Sequence, residues 1–119
     1  MAHHLVLGAG GIGRATAAAL SARGETVTLA SRSGTRVDLD GVTTMAVDAT
    51  DAHAVGRAAD GVATIVNAVS PANYTHWDRD WPPIARALLQ AAERSGAGLV
   101  TVGNLYGYGQ VDAPMTEAT

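Results

Sequence analysis

The stretch LVLGAGGIGRATAAAL, residues 5–20, sets the beginning of the fold. Its apolar start ends at Gly8, which predicts a short buried strand. The alanine-rich residues 11–23 carry apolar side chains at helical spacing, and Gly24 follows them as a C-terminal cap. We therefore predict a strand, a glycine-rich turn and a helix in immediate succession.

The glycines between this strand and this helix form the pattern G-x-G-x-x-G at Gly8, Gly10 and Gly13. In a dinucleotide-binding turn the first glycine permits the bend and the second lets the backbone approach a pyrophosphate. The third lets the helix pack closely on the sheet. A purely structural strand–helix turn is the alternative, but the strand–helix setting favours dinucleotide binding. The predicted cofactor-binding residues of this turn are Gly8, Ala9, Gly10, Gly11, Ile12 and Gly13.

The rest of the chain alternates strand and helix patterns. Further strands are predicted at residues 25–32, 41–48, 62–69 and 97–104, and further helices at 49–61 and 81–96. For the last helix we expect Asp80 as the N-cap, two prolines in the first turn and Gly96 at the end. Such alternation predicts an α/β fold, a Rossmann-like doubly wound parallel sheet. We expect one domain over residues 1–119, cut short after the fifth strand, because the usual form of this fold has six.

The end of the second strand bears on which cofactor is bound. An acidic residue there would accept a hydrogen bond from a ribose 2′-hydroxyl, whereas this chain has Ser31 and Arg32. Arg32 suits a 2′-phosphate, with Ser31, Ser33 or Arg36 as further donors. We therefore predict NADP(H), with NAD possible as the alternative cofactor; a solvated loop arginine is the competing interpretation of Arg32.

Two later strand ends supply further candidates. Asp48, at the end of the third strand, is suited either to accept from an adenine amino group or to serve as an ordinary helix-capping aspartate. Asn67, Ala68 and Val69 end the fourth strand at the edge of the sheet where ligands bind in such folds.

Composition excludes several classes of function. The 119 residues carry a net charge of −3 and no cysteine, so we expect neither a nucleic-acid partner nor a thiolate metal site. The histidines show no metal-ligand spacing, and no apolar run is long enough to cross a membrane. No leader pattern precedes the first strand, so we expect a cytoplasmic protein. All eight Lys+Arg residues are arginines.

Three further segments carry a resemblance. Together with the glycine turn, they resemble the extended short-chain dehydrogenases/reductases, the NAD-dependent epimerase/dehydratase family. The three segments are VDATD, VNAV and LVTVGNLYGYGQVDAPMTE. Leu7 stands where that family usually has its first glycine, and the pattern starting at Gly8 resembles atypical members. The resemblance implies that Asp48 and Ala49 lie at the adenine and that the backbone of residues 67–69 runs along the cofactor.

The same resemblance bears on catalysis. It places Asn104 at the position of the family's catalytic serine or threonine. The family's Tyr-x-x-x-Lys pair would lie beyond Thr119, and this chain contains no lysine. We therefore expect the N-terminal, cofactor-binding part of a longer enzyme, inactive alone and acting on an unidentified small molecule. Relatives commonly form homodimers. A non-catalytic NADP(H) sensor is the alternative, and a flavin-binding protein a more distant one.

One aromatic segment leaves its role open. Tyr74, His76 and Trp77 follow the fourth strand at the ligand edge. They suit either the mouth of a substrate site or an aromatic plug over the following helix.

Overall fold

A computed structural model describes residues 1–71 and 74–119. The strands are β1 (His3–Leu7), β2 (Thr26–Ser31), β3 (Val42–Ala46), β4 (Thr64–Asn67) and β5 (Gly98–Thr101). The helices are α1 (Gly11–Ala22), α2 (Ala52–Ala58) and α3 (Trp77–Ser95). Short 3₁₀ helices cover Tyr74–His76 and Tyr106–Tyr108.

The strands form one five-stranded sheet in the order β3-β2-β1-β4-β5, with every neighbouring pair parallel. Leu5 of β1 is aligned with Thr28 on one side and Ile65 on the other. The strand order reverses between β1 and β4, and ligands bind at such a switch point in doubly wound folds. The predicted Rossmann-like parallel sheet is confirmed.

The two faces of the sheet are covered by different helices. Leu5, Leu7 and Ile65 pack against α2 and α3, in a core cluster that includes Val55 and Leu88. On the other face, the cluster around α1 contains Val6, Ala17, Val27, Leu29 and Val66. Burying each large aliphatic side chain stabilises the fold by about 2 kcal/mol. Since consecutive strand residues point to opposite faces, a central strand covered on both is continuously apolar.

Helix α3 begins earlier than the sequence predicts. It starts at Trp77, so Asp80 lies inside the helix, where its carboxylate accepts from Arg79 rather than capping the backbone. Pro82 and Pro83 fall in the second turn, not the first. The acidic residues of the first turn favour this earlier start, because they lie at the positive end of the helix dipole. Gly96 ends the helix as predicted, with a φ of 73°.

The third strand is shorter than predicted. It ends at Ala46, and the backbone N–H of Val47 then donates to the Ser31 carbonyl at 2.8 Å.

Helix α2 is capped by Asp51, whose Oδ1 accepts from the N–H groups of His53 and Ala54 at 3.0 and 3.2 Å. In the described part of the chain, no helix is long and apolar enough to cross a membrane.

Candidate functional site

A cleft of about 1160 Å³ opens at the carboxyl edge of the sheet, at the switch point between β1 and β4. The N-terminal turn of α1 forms one wall and the first turns of α3 form another, with the ends of β2 and β3 to one side. Its lining residues are Leu7, Gly8, Ala9, Gly10, Gly11, Ile12, Ala30, Ser31, Arg32, Val47, Ala49, Thr50, Ala68, Val69, Ser70, Pro71, Arg79, Asp80, Pro83 and Ile84.

Two glycines of the turn are required by the fold itself. Gly8 has a φ of 106°, and a Cβ there would stand 2.5 Å from the Ala68 carbonyl oxygen. A Cβ at Gly13 would stand 1.6 Å from the Gly8 carbonyl oxygen. Gly13 does not line the cleft, so its place is the packing of α1 against the turn.

Gly10 has no such requirement. Its φ of −78° is open to any residue, and no heavy atom of the described residues beyond its chain neighbours lies within 4 Å of a Cβ built there. Gly10 is the N-cap of α1 and leaves the first N–H groups of that helix without a side-chain cap. Uncapped N–H groups and the positive end of a helix dipole suit a phosphate. The open space beside Gly10 is therefore available to a ligand.

The end of β2 brings Ser31 and Arg32 into the same cleft. Ser31 Oγ accepts from the N–H groups of Gly34 and Thr35 at 3.0 and 3.3 Å, which fixes the turn after β2 and leaves its own O–H free to donate. Among residues 1–71 and 74–119, the exposed Arg32 guanidinium forms no hydrogen bond or ion pair. It faces the cleft with its donors available.

Asp48 and Ala49 follow β3, and only Ala49 lines the cleft. The Asp48 carboxylate accepts from the backbone N–H and the hydroxyl of Thr50 at 2.9 and 2.7 Å. These two hydrogen bonds lower the pKa of Asp48, burial opposes them, and the positive charge of Arg32 is the weakest contribution toward a lower pKa. The carboxylate is exposed and ionised, beside the arginine at the end of β2.

Asn67, Ala68 and Val69 end β4 with different placements. The side chain of Asn67 is buried, and its Oδ1 accepts from the Val69 N–H at 3.1 Å. Ala68 and Val69 line the cleft, whereas Asn67 does not. Asn67 thus shapes the loop whose next two residues face the ligand space.

Helix α3 contributes residues that the sequence did not indicate as part of the site. Arg79, Asp80, Pro83 and Ile84 line the cleft at helical spacing, and Ser70 and Pro71 precede them. Arg79 Nε donates to Asp80 Oδ1 at 2.8 Å, which lowers the pKa of Asp80 and raises that of Arg79. The signal was available, because a loop that follows a parallel strand lies at the ligand edge. The predicted start of the helix at Trp81 concealed it.

Asn104 lies outside the cleft. It follows β5 in the exposed segment 102–119, and its Oδ1 accepts from the Tyr106 N–H at 3.1 Å. The nearby Tyr108 is also exposed, at 51%. The structure therefore does not bring Asn104 together with the glycine turn.

The aromatic segment after β4 is described in part. His76 is exposed and Trp77 is half-buried as the first residue of α3. The side chain of Tyr74 lies outside the described residues, so both interpretations of this segment stay predictions. No group of three or more His, Asp or Glu residues in the described chain is placed to hold a metal ion.

A parallel sheet in this order, with a glycine turn at its switch point, defines the chain as a Rossmann-like dinucleotide-binding fold. A family model described as NAD(P)H-binding matches residues 8–118, and the chain belongs to this family. No curated protein matches it.

Solved structures support the same class. A uronate dehydrogenase from Agrobacterium tumefaciens is 25% identical with a TM-score of 0.72, over 85% of this chain and 40% of that one. A mutant of that enzyme has been solved complexed with NAD. A presumed exported protein from Burkholderia pseudomallei is 28% identical with a TM-score of 0.68, over 87% of this chain and 48% of that one.

MoeE5, solved in complex with UDP-glucose and NAD, is 19% identical with a TM-score of 0.75, over 98% of this chain and 41% of that one. At this identity the similarity shows the fold alone. The chain spans 40–48% of the length of these three structures. The predicted resemblance to short-chain dehydrogenases/reductases is confirmed at the level of family and fold.

Proposed function

We propose that this chain is the NADP(H)-preferring cofactor-binding domain of an epimerase, dehydratase or reductase of the extended short-chain dehydrogenase/reductase family. NAD(P)H binding follows from the family, and the preference for NADP(H) is the proposal. The observation that carries it is Arg32, which lines the cleft directly after β2 where NAD-binding relatives place an acid. The uronate dehydrogenase mutant and MoeE5 were solved with NAD, so this chain would differ from them in cofactor.

Each part of the dinucleotide has a proposed place. The glycine turn and the first N–H groups of α1 hold the pyrophosphate. Ser31 and Arg32 hold the 2′-phosphate, and Asp48 with Ala49 lies at the adenine. Ala68 and Val69 lie along the nicotinamide half, beyond β4. When bound, the cofactor supplies or accepts a hydride.

The chemistry of the whole protein is also a proposal. The tyrosine acid of this family needs a lysine to lower its pKa, and the 119 residues contain none. We therefore assign residues 1–119 as one cofactor-binding domain that needs a further tyrosine–lysine pair to act. Asn104 would serve at the serine position only if the segment after β5 moved toward the cleft.

A sensor of NADP(H) without catalysis is the second candidate. The observation that favours it is Asn104, which is not the usual catalytic residue and stands apart from the cleft. Cofactor binding without turnover by the full-length protein, over a panel of carbonyl compounds and sugar nucleotides, would support the sensor.

Cytoplasmic location and a homodimer also stay predictions. Cell fractionation checks the first and light scattering checks the second.

Calorimetric titration with NADPH and with NADH tests the cofactor preference. We expect the wild-type chain to bind NADPH more tightly. Arg32→Ala should weaken NADPH binding by about tenfold or more, because a charged hydrogen bond contributes about 1.5–3 kcal/mol, and should leave NADH binding unchanged. Arg23→Ala, at the C-terminal end of α1, is the matched control and should change neither. Tighter binding of NADH by the wild type would contradict the preference.

A further inference from the structure

Arg79 lines the cleft, and its hydrogen bonds within the described part of the chain use only part of its guanidinium. Its Nε donates to Asp80 Oδ1 at 2.8 Å and its Nη2 to Asp80 Oδ2 at 3.4 Å. Both bonds use one edge of the planar group, so among the described residues both N–H groups of Nη1 and the second N–H of Nη2 have no partner. Asp80 fixes the plane of the guanidinium through two contacts, and the Arg79 side chain is 69% exposed.

The fold places this arginine across from the glycine turn. Helix α1 packs on one face of the sheet and α3 on the other, and both begin at the carboxyl edge. Arg79 therefore reaches the cleft from the wall opposite the residues 8–12. Ile84, five residues further along the helix and 5% exposed, anchors α3 in the core. The backbone position of Arg79 is thus set by the packing of its helix rather than by a free loop.

The charges in the cleft indicate which ligand group Arg79 could bind. Among its described lining residues, Arg32, Arg79 and Asp80 are charged. A dinucleotide pyrophosphate carries two negative charges, and a helix N-terminus offers about half a positive charge. Arg32 lies at the end of β2, on the adenosine side, so Arg79 is the other cationic lining residue. Its free donor edge suits two phosphate oxygens.

We propose that Arg79 binds the pyrophosphate of the dinucleotide from the wall opposite the glycine turn, with Asp80 as the residue that orients it. This inference rests on the proposed function, since it takes the cofactor as the ligand of the cleft. It adds a second arm to the phosphate site, built on α3. The pyrophosphate is then held between backbone N–H groups on one side and a guanidinium on the other.

Two fragments of the cofactor distinguish the proposed role of Arg79 from that of Arg32. ADP-ribose has the pyrophosphate without a 2′-phosphate, and adenosine 2′-monophosphate has the reverse. We expect Arg79→Ala to weaken ADP-ribose and NADPH by about tenfold, near the lower end of the range for charged hydrogen bonds because the side chain is exposed. The same variant should leave adenosine 2′-monophosphate unchanged, and Arg32→Ala should show the opposite pattern. Arg79→Lys should recover part of the loss.

Arg86→Ala is the matched control. Arg86 is exposed on the same helix, outside the cleft, with its Nε donating to the Pro82 carbonyl at 3.3 Å. It should bind all three ligands like the wild type, and thermal melts should show every variant folded. The role of Arg79 would be overturned if Arg79→Ala bound ADP-ribose as tightly as the wild type, or if it lost the same affinity for both fragments. Either result would leave the proposed function standing. A wild-type chain that binds neither NADPH nor ADP-ribose would instead defeat the proposed function.

Discussion

The carbonyl oxygen of Gly8 lies 1.6 Å from the point that a Cβ at Gly13 would occupy. Both the carbonyl and the helix backbone are fixed, because Gly8 donates to the Ala30 carbonyl at 2.8 Å and α1 packs on the sheet. The third glycine of the turn is therefore a packing residue, and the second is the one that faces open space. Within this one motif, we therefore expect Gly13 to matter for stability and Gly10 for cofactor binding.

Gly13→Ala should destabilise the fold strongly. The added methyl cannot be accommodated without moving α1 away from the turn, so we expect a loss of about 3 kcal/mol in the free energy of unfolding. Urea denaturation followed by circular dichroism measures it. A variant within about 0.5 kcal/mol of the wild type would contradict the packing role.

Gly10→Ala should spare the fold and impair binding. No described atom opposes a methyl there, so the free energy of unfolding should change by no more than about 1 kcal/mol, the usual range for a helix N-cap. NADPH affinity should fall by at least about tenfold, or 1.4 kcal/mol, because the methyl would occupy the space of the pyrophosphate. Calorimetry checks this, with Gly103→Ala, which is equally unopposed but outside the cleft, as the control. Unchanged NADPH affinity would refute the assignment.

Gly96→Ala and Gly56→Ala should change stability in opposite directions. Gly96 ends α3 with a φ of 73°, a conformation that costs a non-glycine residue about 1 kcal/mol. Gly56 lies within α2 with open space around it, so alanine there should stabilise by about 0.5–1 kcal/mol through reduced backbone entropy. Thermal unfolding of both variants is the measurement, and shifts of the same sign would argue against one of these conformations.

The hydrogen bonds from Thr50 should make Asp48 contribute to the pH dependence of stability. Because the folded-state pKa lies below the unfolded value of about 3.9, the contribution is fully present above that pH. It is lost as the pH falls through the folded-state pKa. An NMR titration of the Asp48 carboxyl carbon should give a low pKa that rises toward the ordinary value in Thr50→Val. The same pKa in both proteins would show that the Thr50 hydroxyl is not the cause.

Much of the fold was predictable because its signals are local. The central strands β1 and β4 contain short apolar runs, β2 and β3 are rich in β-branched residues, and Gly24 and Gly96 end α1 and α3 where the spacing requires. The parallel sheet then follows from the alternation of strands and helices. The predicted start of α3 was wrong because prolines are typical of the first turn of a helix. Here they lie in the second turn, where a proline costs a backbone hydrogen bond. The packing of Ile84 and Leu88 in the core compensates for that loss.

The candidate site was predictable only in part. Residues of the glycine turn and the ends of β2 and β4 line the cleft, because the carboxyl ends of parallel strands meet at one edge. Asp48 and Asn67 lie at the predicted strand ends, but their side chains bond to Thr50 and to the Val69 N–H. Sequence position locates a residue at an edge, whereas the local turn decides which way its side chain points.

The sequence by itself determined the turn: a strand, three spaced glycines and a helix, with an arginine where an acid would select NAD. Only the tertiary structure decided which glycine packs and which stays open, and that Arg79 lines the same cleft as the turn. The physical reason is sequence separation. Arg79 and Gly10 line the same cleft because the connections before and after the switch point cross on opposite faces of the sheet, and no local pattern encodes that arrangement.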